Sequence, residues 1–269
     1  MATENPAGAA APAGARPLLR LKGVSKSFGP VQALDDVDFE VFPGEVVALV
    51  GDNGAGKSTL IKAVSGAAPA DQGEFEFDGS AVNVRSPHDS AALGIAVVYQ
   101  DLALCDNLDV VENLFLGREP VRRGVLDEMH MEKQSRTLLD SLAVRTLRSV
   151  RTEVGSLSGG QRQTVAIARS MLGEPKMVIL DEPTAALGVA QTAQVLTLVK
   201  RLKEQGLGVI LISHNLADVF EVADRIVVLR LGRNGGEFPA AGHHRQAVVA
   251  AITGAEGDIA PAIATGETA

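Results

Sequence analysis

The sequence has 269 residues, of which 46% are hydrophobic and 22% charged, values that are ordinary for a globular protein able to bury a sizeable core. Its formal net charge of −8 excludes a global positive field that would attract nucleic acid or an anionic membrane. Cys105 is the only cysteine, which excludes an internal disulfide and any metal or redox motif built on two cysteines.

The two ends of the chain differ in composition from the rest. Residues 1–17 are rich in Ala, Gly and Pro and lack the charged and strongly apolar regions of a signal peptide. This composition predicts a disordered arm, and a similar composition predicts a flexible tail over residues 253–269. No apolar run approaches the roughly 18–20 residues that span a bilayer, so we expect any membrane span of the system to belong to a partner.

Short apolar runs rich in Val, Ile and Leu recur along the chain and predict strands that are buried on both faces. In chain order they are "EVVALV" (45–50), "GIAVVYQ" (94–100), "KMVILDE" (176–182), "LGVILISH" (207–214) and "DRIVVLRL" (224–231). Helical patterns separate most of them, which favours an α/β fold with a mainly parallel sheet. Nearer the start, the alternation in "LRLKGVSKSF" and "VDFEVFPGE" predicts a small antiparallel β subdomain.

The strand pattern stops between Asp101 and about Val150. The segments "DVVENLFLG" and "DEMHMEKQSRTLLDSLAV" instead have apolar residues three and four apart, as amphipathic helices do. We therefore expect a helical lobe over about residues 101–165, inserted into one domain that spans residues 18–252.

Four of the apolar runs end in groups that suit a phosphate or a metal ion. These groups are Gly51, Gln100, Asp181 with Glu182, and His214. Because open α/β sheets bind ligands beyond the carboxyl ends of their strands, we expect the four ends to converge on one site.

The segment "GDNGAGKST" matches the phosphate-binding pattern G-x-x-x-x-G-K-[ST]. Its glycines let successive backbone N–H groups face a phosphate, Lys57 adds charge near the outer phosphates, and Ser58 offers a hydroxyl to Mg²⁺. Asp181 is placed to hold the metal, and Glu182 to orient water or accept its proton, although carboxylates at such positions also serve as helix caps. The expected phosphate-binding residues are Gly51, Asp52, Asn53, Gly54, Ala55, Gly56, Lys57, Ser58 and Thr59.

The segment "LSGGQRQ" (157–163), upstream of "ILDEPT", resembles the signature of the ATP-binding cassette family, the ATPases of ABC transporters. The resemblance covers roughly residues 18–250 and implies a P-loop NTPase core that binds ATP and Mg²⁺ and hydrolyses ATP. It implies that Gln100 senses the metal and the attacking water, that His214 contacts the γ-phosphate, and that Phe28 stacks on adenine. Alone, His214 and Phe28 would more simply be structural residues. The implied metal-binding residues are Ser58, Gln100 and Asp181.

The same resemblance gives a reason for two loops of small residues, each at a helix start, about a hundred residues apart. It implies a head-to-tail dimer with a second copy of the cassette, in which each signature loop serves the partner's nucleotide. The loop residues with this role are Leu157, Ser158, Gly159, Gly160 and Gln161. One position departs from the family, which commonly has Asp where this chain has Gly188, and the tightness of coupling between the two ATP sites is therefore open.

The segments "VVYQDLALCDNLDVVENLFLGRE" and "DEPTAALGVAQT" resemble single-cassette members of the carbohydrate-uptake group that imports fructose, xylose and ribose. This implies import of a monosaccharide at the cytoplasmic face of the membrane, with permease subunits and, indirectly, a sugar-binding protein as partners. "LFLGRE" is the expected permease dock, the alternative being a solvated helical face. The alternatives for function are an ABC ATPase for amino acids, lipids or efflux, a soluble ABC ATPase acting on nucleic acid, and a regulator without turnover. Because the chain is acidic and has a single cassette, we expect no nucleic-acid partner.

Overall fold

The computed structural model describes residues 16–144 and 146–255, so the predicted arm (1–17) and tail (253–269) lie almost entirely outside the described residues. In chain order the strands are β1 (Leu19–Phe28), β2 (Val31–Val41), β3 (Val46–Val50), β4 (Gln72–Phe77), β5 (Ser80–Ala81), β6 (Ile95–Val98), β7 (Val121–Arg122), β8 (Val125–Leu126), β9 (Met177–Asp181), β10 (Gly208–Ile212), β11 (Arg225–Arg230) and β12 (Arg233–Pro239). The helices are α1 (Lys57–Val64), α2 (Pro87–Leu93), α3 (Val110–Phe115), α4 (Glu128–Ser141), α5 (Gly159–Met171), α6 (Val189–Glu204), α7 (Leu216–Val222) and α8 (Arg245–Thr253).

The main sheet has six strands in the order β12-β11-β3-β10-β9-β6. The five strands from β11 to β6 are parallel, and β12 pairs antiparallel with β11. Every residue of β3 and of β10 is buried, as expected for strands covered on both faces. The predicted α/β fold with a mainly parallel sheet is confirmed.

A second sheet has four antiparallel strands in the order β2-β1-β4-β5, which confirms the predicted antiparallel subdomain. Its apolar face packs on the main sheet, where Leu21 and Phe39 belong to the same buried cluster as Ile210. The buried Arg225 of β11 also joins the two sheets. Its guanidinium donates to the carbonyl oxygen of Glu40 on β2 at 2.8 Å and to both carboxylate oxygens of Glu45.

Two of the helices, α3 and α4, lie in the segment where the sequence predicts amphipathic helices. Their apolar faces pack against α5 and α6 in one buried cluster that includes Leu114, Leu139, Ile167 and Leu196. The short β7–β8 hairpin between α3 and α4 was not predicted, because strands of two residues are too short to show alternation. Among the described residues, no helix combines the length and the apolarity that crossing a membrane requires.

Candidate functional site

The carboxyl ends of four neighbouring strands bring the predicted polar groups to one edge of the main sheet. In β10, Ile212 pairs with Asp181 on one side and with Leu49 on the other, so Gly51 and His214 flank the same edge. Val98 of β6 pairs with Leu180 of β9, which places Gln100 just beyond the same edge. The convergence expected from the sequence is therefore present in the fold.

The loop between β3 and α1 is folded as a backbone cradle. Gly51 and Gly56 have φ angles of 151° and 104°, values that side-chain-bearing residues rarely adopt. A Cβ on Gly51 would clash with the carbonyl oxygen of Leu229, and one on Gly56 would lie 2.8 Å from that of Ala33. Both glycines are thus required where they stand, and α1 begins directly after the loop, with its positive dipole end toward the cradle.

Lys57 is the first residue of α1, and its side chain reaches back into this loop. Its Nζ donates to the carbonyl oxygens of Gly51 at 2.7 Å and Asp52 at 3.0 Å. Burial lowers the pKa of Lys57, and the charges of Glu182, Asp52 and Asp181 partly offset this effect. Because an ammonium has three donors, one N–H remains for an anion held in the loop.

Asp181 ends β9 and is half-buried. Burial raises the pKa of its carboxyl group, and the neighbouring charge of Glu182 raises it further. A bound cation would relieve both effects. The hydroxyl of Ser58, the amide oxygen of Gln100 and the carboxylate of Asp181 form an all-oxygen set, the kind that Mg²⁺ prefers together with phosphate and water.

Glu182 has a strained backbone, with φ of 50° in the left-handed region. Its N–H donates to the carbonyl oxygen of Ile212 at 3.0 Å, which fixes the residue against β10. Its carboxylate Oε2 lies 2.7 Å from Nδ1 of His214. The Glu182 side chain is 16% exposed and that of His214 is 74% exposed, so the imidazole covers the carboxylate from the solvent side.

A second helix start carries the "LSGGQ" residues. Ser158 is the N-cap of α5: its hydroxyl accepts from the N–H of Gln161, whose side-chain oxygen accepts from the N–H of Ser158 at 2.9 Å. Gly159 is exposed and Gly160 is buried, whereas Leu157 is partly buried against the helical cluster. This reciprocal cap leaves a well-defined helix start, whose backbone N–H groups form the positive end of α5.

Comparisons with known proteins decide the family. A family model described as ABC transporter matches residues 34–185. The chain is 48% identical over 224 residues to a fructose import ATP-binding protein from Rhizobium meliloti, covering 81% of this chain and 86% of that protein. It is 50% identical over 216 residues to a xylose/arabinose import ATP-binding protein from Sulfolobus acidocaldarius, covering 80% and 86%. The chain belongs to the ATP-binding cassette family of ABC transporters.

Solved structures agree with this assignment. The ADP conformation of an ATP-binding cassette of an ABC transporter matches with a TM-score of 0.76 at 28% identity, over 88% of this chain and 95% of that one. The dimeric structure of a bacterial ABC transporter cassette matches with a TM-score of 0.67 at 27% identity, over 83% and 99%. The cassette fold of this chain is therefore also that of solved cassettes of ABC transporters.

The cassette does not bring all its predicted site residues together within one chain. Beside the P-loop there is a cleft of about 490 Å³, and among the described residues none of the "LSGGQ" loop lines it. Phe28 lies at the end of β1, 49% exposed, with Nζ of Lys26 5.5 Å from its ring centroid. Its ring therefore lies at the surface of the antiparallel sheet.

One set of hydrogen bonds between distant segments of the cassette is not predictable from the sequence. Arg169 of α5 donates to the carbonyl oxygens of Leu102 and Ala103, each at 2.7 Å, and so ties the helix of the "LSGGQ" loop to the segment after Gln100. A groove of about 450 Å³ opens here, with Leu116 and Arg169 among its lining residues. No local motif marks Arg169, because its partners are backbone atoms more than sixty positions away.

Proposed function

We propose that this cassette is the ATP-hydrolysing subunit of an ABC importer for a monosaccharide. The convergence of the P-loop, the two carboxylates, Gln100 and His214 at one sheet edge carries the ATPase part of this proposal. The substrate class is supported by relatives named for fructose and xylose/arabinose import, and by a ribose import ATP-binding protein from Rubrobacter xylanophilus. That protein is 47% identical over 84% of this chain, which spans 45% of its length.

The chain binds ATP through its phosphates and its base. The N–H groups of residues 51–59 and the free N–H of Lys57 hold the phosphates, and Phe28 stacks on adenine. Ser58, Gln100 and Asp181 would hold Mg²⁺, which when bound neutralises part of the phosphate charge. The raised pKa of Asp181 supports a cation at this position, because a carboxylate crowded by another negative charge gains most from one.

Hydrolysis requires a water molecule in line with the bond to be broken. Glu182 orients this water and accepts its proton, while the water oxygen forms a bond to the γ-phosphorus. The bond between the γ-phosphorus and the bridging oxygen breaks, and the products are ADP and phosphate. His214, already 2.7 Å from the Glu182 carboxylate, contacts the γ-phosphate and stabilises its charge.

The site is completed by a second copy of the cassette. Because residues 157–161 do not line the cleft beside their own P-loop, they are available to cap the γ-phosphate of a nucleotide bound by the partner. A solved relative of 27% identity is described as a dimeric cassette, which supports this arrangement. ATP then favours the closed dimer by binding it more tightly than the open one, and hydrolysis removes that preference.

The membrane partner docks at the groove beside Leu116. This groove is lined by residues of "LFLGRE" and of the segment after Gln100, and Arg169 connects it to the helix of the "LSGGQ" loop. A cytoplasmic loop of a permease seated here would move both parts of the ATP site together. The cassette therefore acts at the cytoplasmic face of the membrane, and a sugar-binding protein delivers the substrate on the other side.

The experiment that tests this function is ATP hydrolysis by the cassette reconstituted in liposomes with its permease. A panel of monosaccharides is added one at a time with the sugar-binding protein. We expect Mg²⁺-dependent phosphate release that one monosaccharide stimulates and that Glu182→Gln abolishes. Stimulation by amino acids or lipids instead of sugars would contradict the substrate class. Hydrolysis that continues in the Glu182→Gln variant would contradict the mechanism.

A further inference from the structure

The β7–β8 hairpin in the helical lobe exposes apolar side chains on both of its faces. Val121 pairs with Leu126 across the hairpin, and Arg122 pairs with Val125, so the two pairs lie on opposite faces. Val121 is 62% exposed, Val125 70% and Leu126 51%. A two-stranded hairpin is only marginally stable in water by itself, and exposed apolar side chains flanked by polar ones are typical of an interaction surface.

The turn of this hairpin has an arginine where the backbone does not favour one. Arg123 and Gly124 have φ angles of 54° and 85°, both in the left-handed region, as a two-residue hairpin turn of this kind requires. Glycine, asparagine and aspartate adopt this conformation most readily, whereas a longer side chain at the first position costs backbone strain. The turn therefore gains nothing from Arg123, and what this residue adds to the hairpin is its charge.

Three arginines at and just before the hairpin have no carboxylate partner. Among residues 16–144 and 146–255, no ion pair includes Arg118, Arg122 or Arg123, and all three are exposed. Because the whole chain has a net charge of −8, they form a local positive cluster on an acidic protein. At physiological salt the field of such a cluster extends about 8 Å, which is enough to act on a surface that touches the hairpin.

The carboxylates nearest to the hairpin in sequence are engaged within the chain. The carboxylate of Glu119 accepts from a backbone N–H, and that of Asp127 caps the start of α4. The carboxylate of Glu128 lies 3.4 Å from the guanidinium of Arg151. The arginines are therefore the charges left to meet a partner, which has to be anionic and to offer an apolar region beside its charges.

The hairpin adjoins the groove at which the permease is proposed to dock. Leu116 and Arg118 line that groove. Val121 follows three residues after Arg118, so the Cα atoms of these two residues are at most about 11 Å apart. Because a permease is itself embedded in the bilayer, a surface beside its docking groove lies close to the membrane. An anionic bilayer has both properties that the hairpin requires, phosphates at its surface and acyl chains beneath them.

We propose that the β7–β8 hairpin contacts anionic phospholipid of the membrane beside the permease. Its two arginines, Arg122 and Arg123, pair with lipid phosphates, and its three exposed apolar side chains enter the boundary between headgroups and acyl chains. The proposal rests on the permease dock of the proposed function, which brings the hairpin to the membrane. So small a surface binds a bilayer weakly and reversibly, and therefore supplements the dock without replacing it.

A single introduced tryptophan tests this contact, because the chain has no tryptophan of its own. Val121→Trp, a substitution that suits an exposed strand, is made in the full chain and mixed at low salt with vesicles of phosphatidylglycerol or of phosphatidylcholine. We expect the fluorescence to shift to shorter wavelength with the anionic vesicles alone, and to shift back in about 1 M salt, which screens charges beyond about 3 Å. Fluorescence that stays the same with anionic vesicles would overturn the proposal.

Val31→Trp is the matched control for Val121→Trp. Val31 is 61% exposed and lies on β2, an edge strand of the antiparallel sheet in the other part of the fold. Its fluorescence should be the same with and without anionic vesicles. An equal shift from both positions would show that the chain adheres through no particular surface, and would overturn the assignment to the hairpin.

A pair of substitutions measures the contribution of the arginines. In the Val121→Trp chain, Arg122→Gln with Arg123→Asn should weaken binding to anionic vesicles about 30-fold, because each basic side chain near an anionic surface contributes about fivefold. Asparagine suits the turn better than arginine, so this variant should melt at the temperature of its parent or above it. A loss of binding of less than about threefold, well below these contributions, would overturn the role of the arginines.

The same tryptophan also separates lipid from permease as the partner. In liposomes that contain the permease and lipids brominated on their acyl chains, we expect contact with lipid to quench the fluorescence of the Val121→Trp chain. Fluorescence that the permease shifts but brominated lipid does not quench would show that the permease covers the hairpin, and would overturn the lipid contact. Sugar-stimulated hydrolysis by the unsubstituted chain in the same liposomes would then leave the proposed function intact. Absence of that hydrolysis would overturn the proposed function, and with it the dock on which this proposal rests.

Discussion

Replacing Glu182 by Gln isolates the proton-accepting role of its carboxylate. In the unsubstituted chain, Nδ1 of His214 lies 2.7 Å from Oε2 of Glu182. Gln has nearly the same shape and keeps one oxygen that can accept a hydrogen bond from this ring N–H. The backbone anchor to Ile212 is also unchanged, since it involves only main-chain atoms. The substitution therefore removes a base and a negative charge while it leaves the strained turn in place.

The size of the effect follows from the chemistry that remains. A positioned general base contributes about 10²- to 10⁴-fold to a rate, so we expect turnover to fall at least about 100-fold. ATP binding should be unchanged or tighter, because one negative charge near the phosphates is lost. The same loss removes one cause of the raised pKa of Asp181, so that pKa should move toward its usual range.

The assay is phosphate release by the permease-bound cassette, with ATP affinity measured in parallel on the isolated chain. Glu204→Gln is the matched control, because Glu204 lies at the far end of α6 in an exposed pair with Arg201. A loss of turnover of no more than about threefold in the Glu182 variant would refute the role of Glu182 as the base. Such a loss is far smaller than the contribution of a general base to the rate. Loss of ATP binding would instead show that Glu182 acts in binding.

Three further predictions concern individual charges. Lys57→Ala should weaken ATP binding by about 10- to 150-fold, the equivalent of one charged hydrogen bond, as measured by titration with a fluorescent ATP analogue. Asp181→Asn should raise the melting temperature of the nucleotide-free chain. Because folding raises the pKa of Asp181, the ionised carboxylate destabilises the folded chain, and this destabilisation grows as pH rises above the usual range of an aspartate. The increase in melting temperature on substitution should therefore be larger at pH 7 than near pH 4 in calorimetry. Arg225→Met leaves the partly buried carboxylate of Glu45 without its guanidinium partner and should lower the free energy of unfolding by about 3 kcal/mol, the low end of the range for a buried ion pair, in urea denaturation.

The fold was largely predictable because its strands are continuous apolar runs. The residues of β3, β9, β10 and β11 are nearly all buried, and burial on both faces produces the uninterrupted Val, Ile and Leu that the sequence displays. The meeting of the four polar strand ends at one site then follows from topology, because parallel strands place their carboxyl ends at one edge of the sheet. The roles of these residues stay predictions until they are tested in the protein.

Other features could not be predicted because they depend on contacts between distant segments. Arg169 donates to backbone carbonyl groups, which have no sequence signature, and Val249 and Ile252 line the cleft beside the P-loop only because α8 packs there. The left-handed backbone conformation of Glu182 could not be predicted either, since nothing in the sequence indicates the φ angle of a glutamate at a strand end. Local sequence patterns reveal only the periodicity of a segment, whereas these features arise from tertiary structure.

The central claim is that ATP hydrolysis at this site powers uptake of a monosaccharide. The most direct measurement is uptake of labelled sugars by cells that lack the gene for this chain, complemented with the unsubstituted chain or with Glu182→Gln. We predict that uptake of one monosaccharide is lost, returns with the unsubstituted chain and stays lost with the variant. Uptake of every sugar at the original rate in the deletion strain, or full recovery with Glu182→Gln, would contradict the claim.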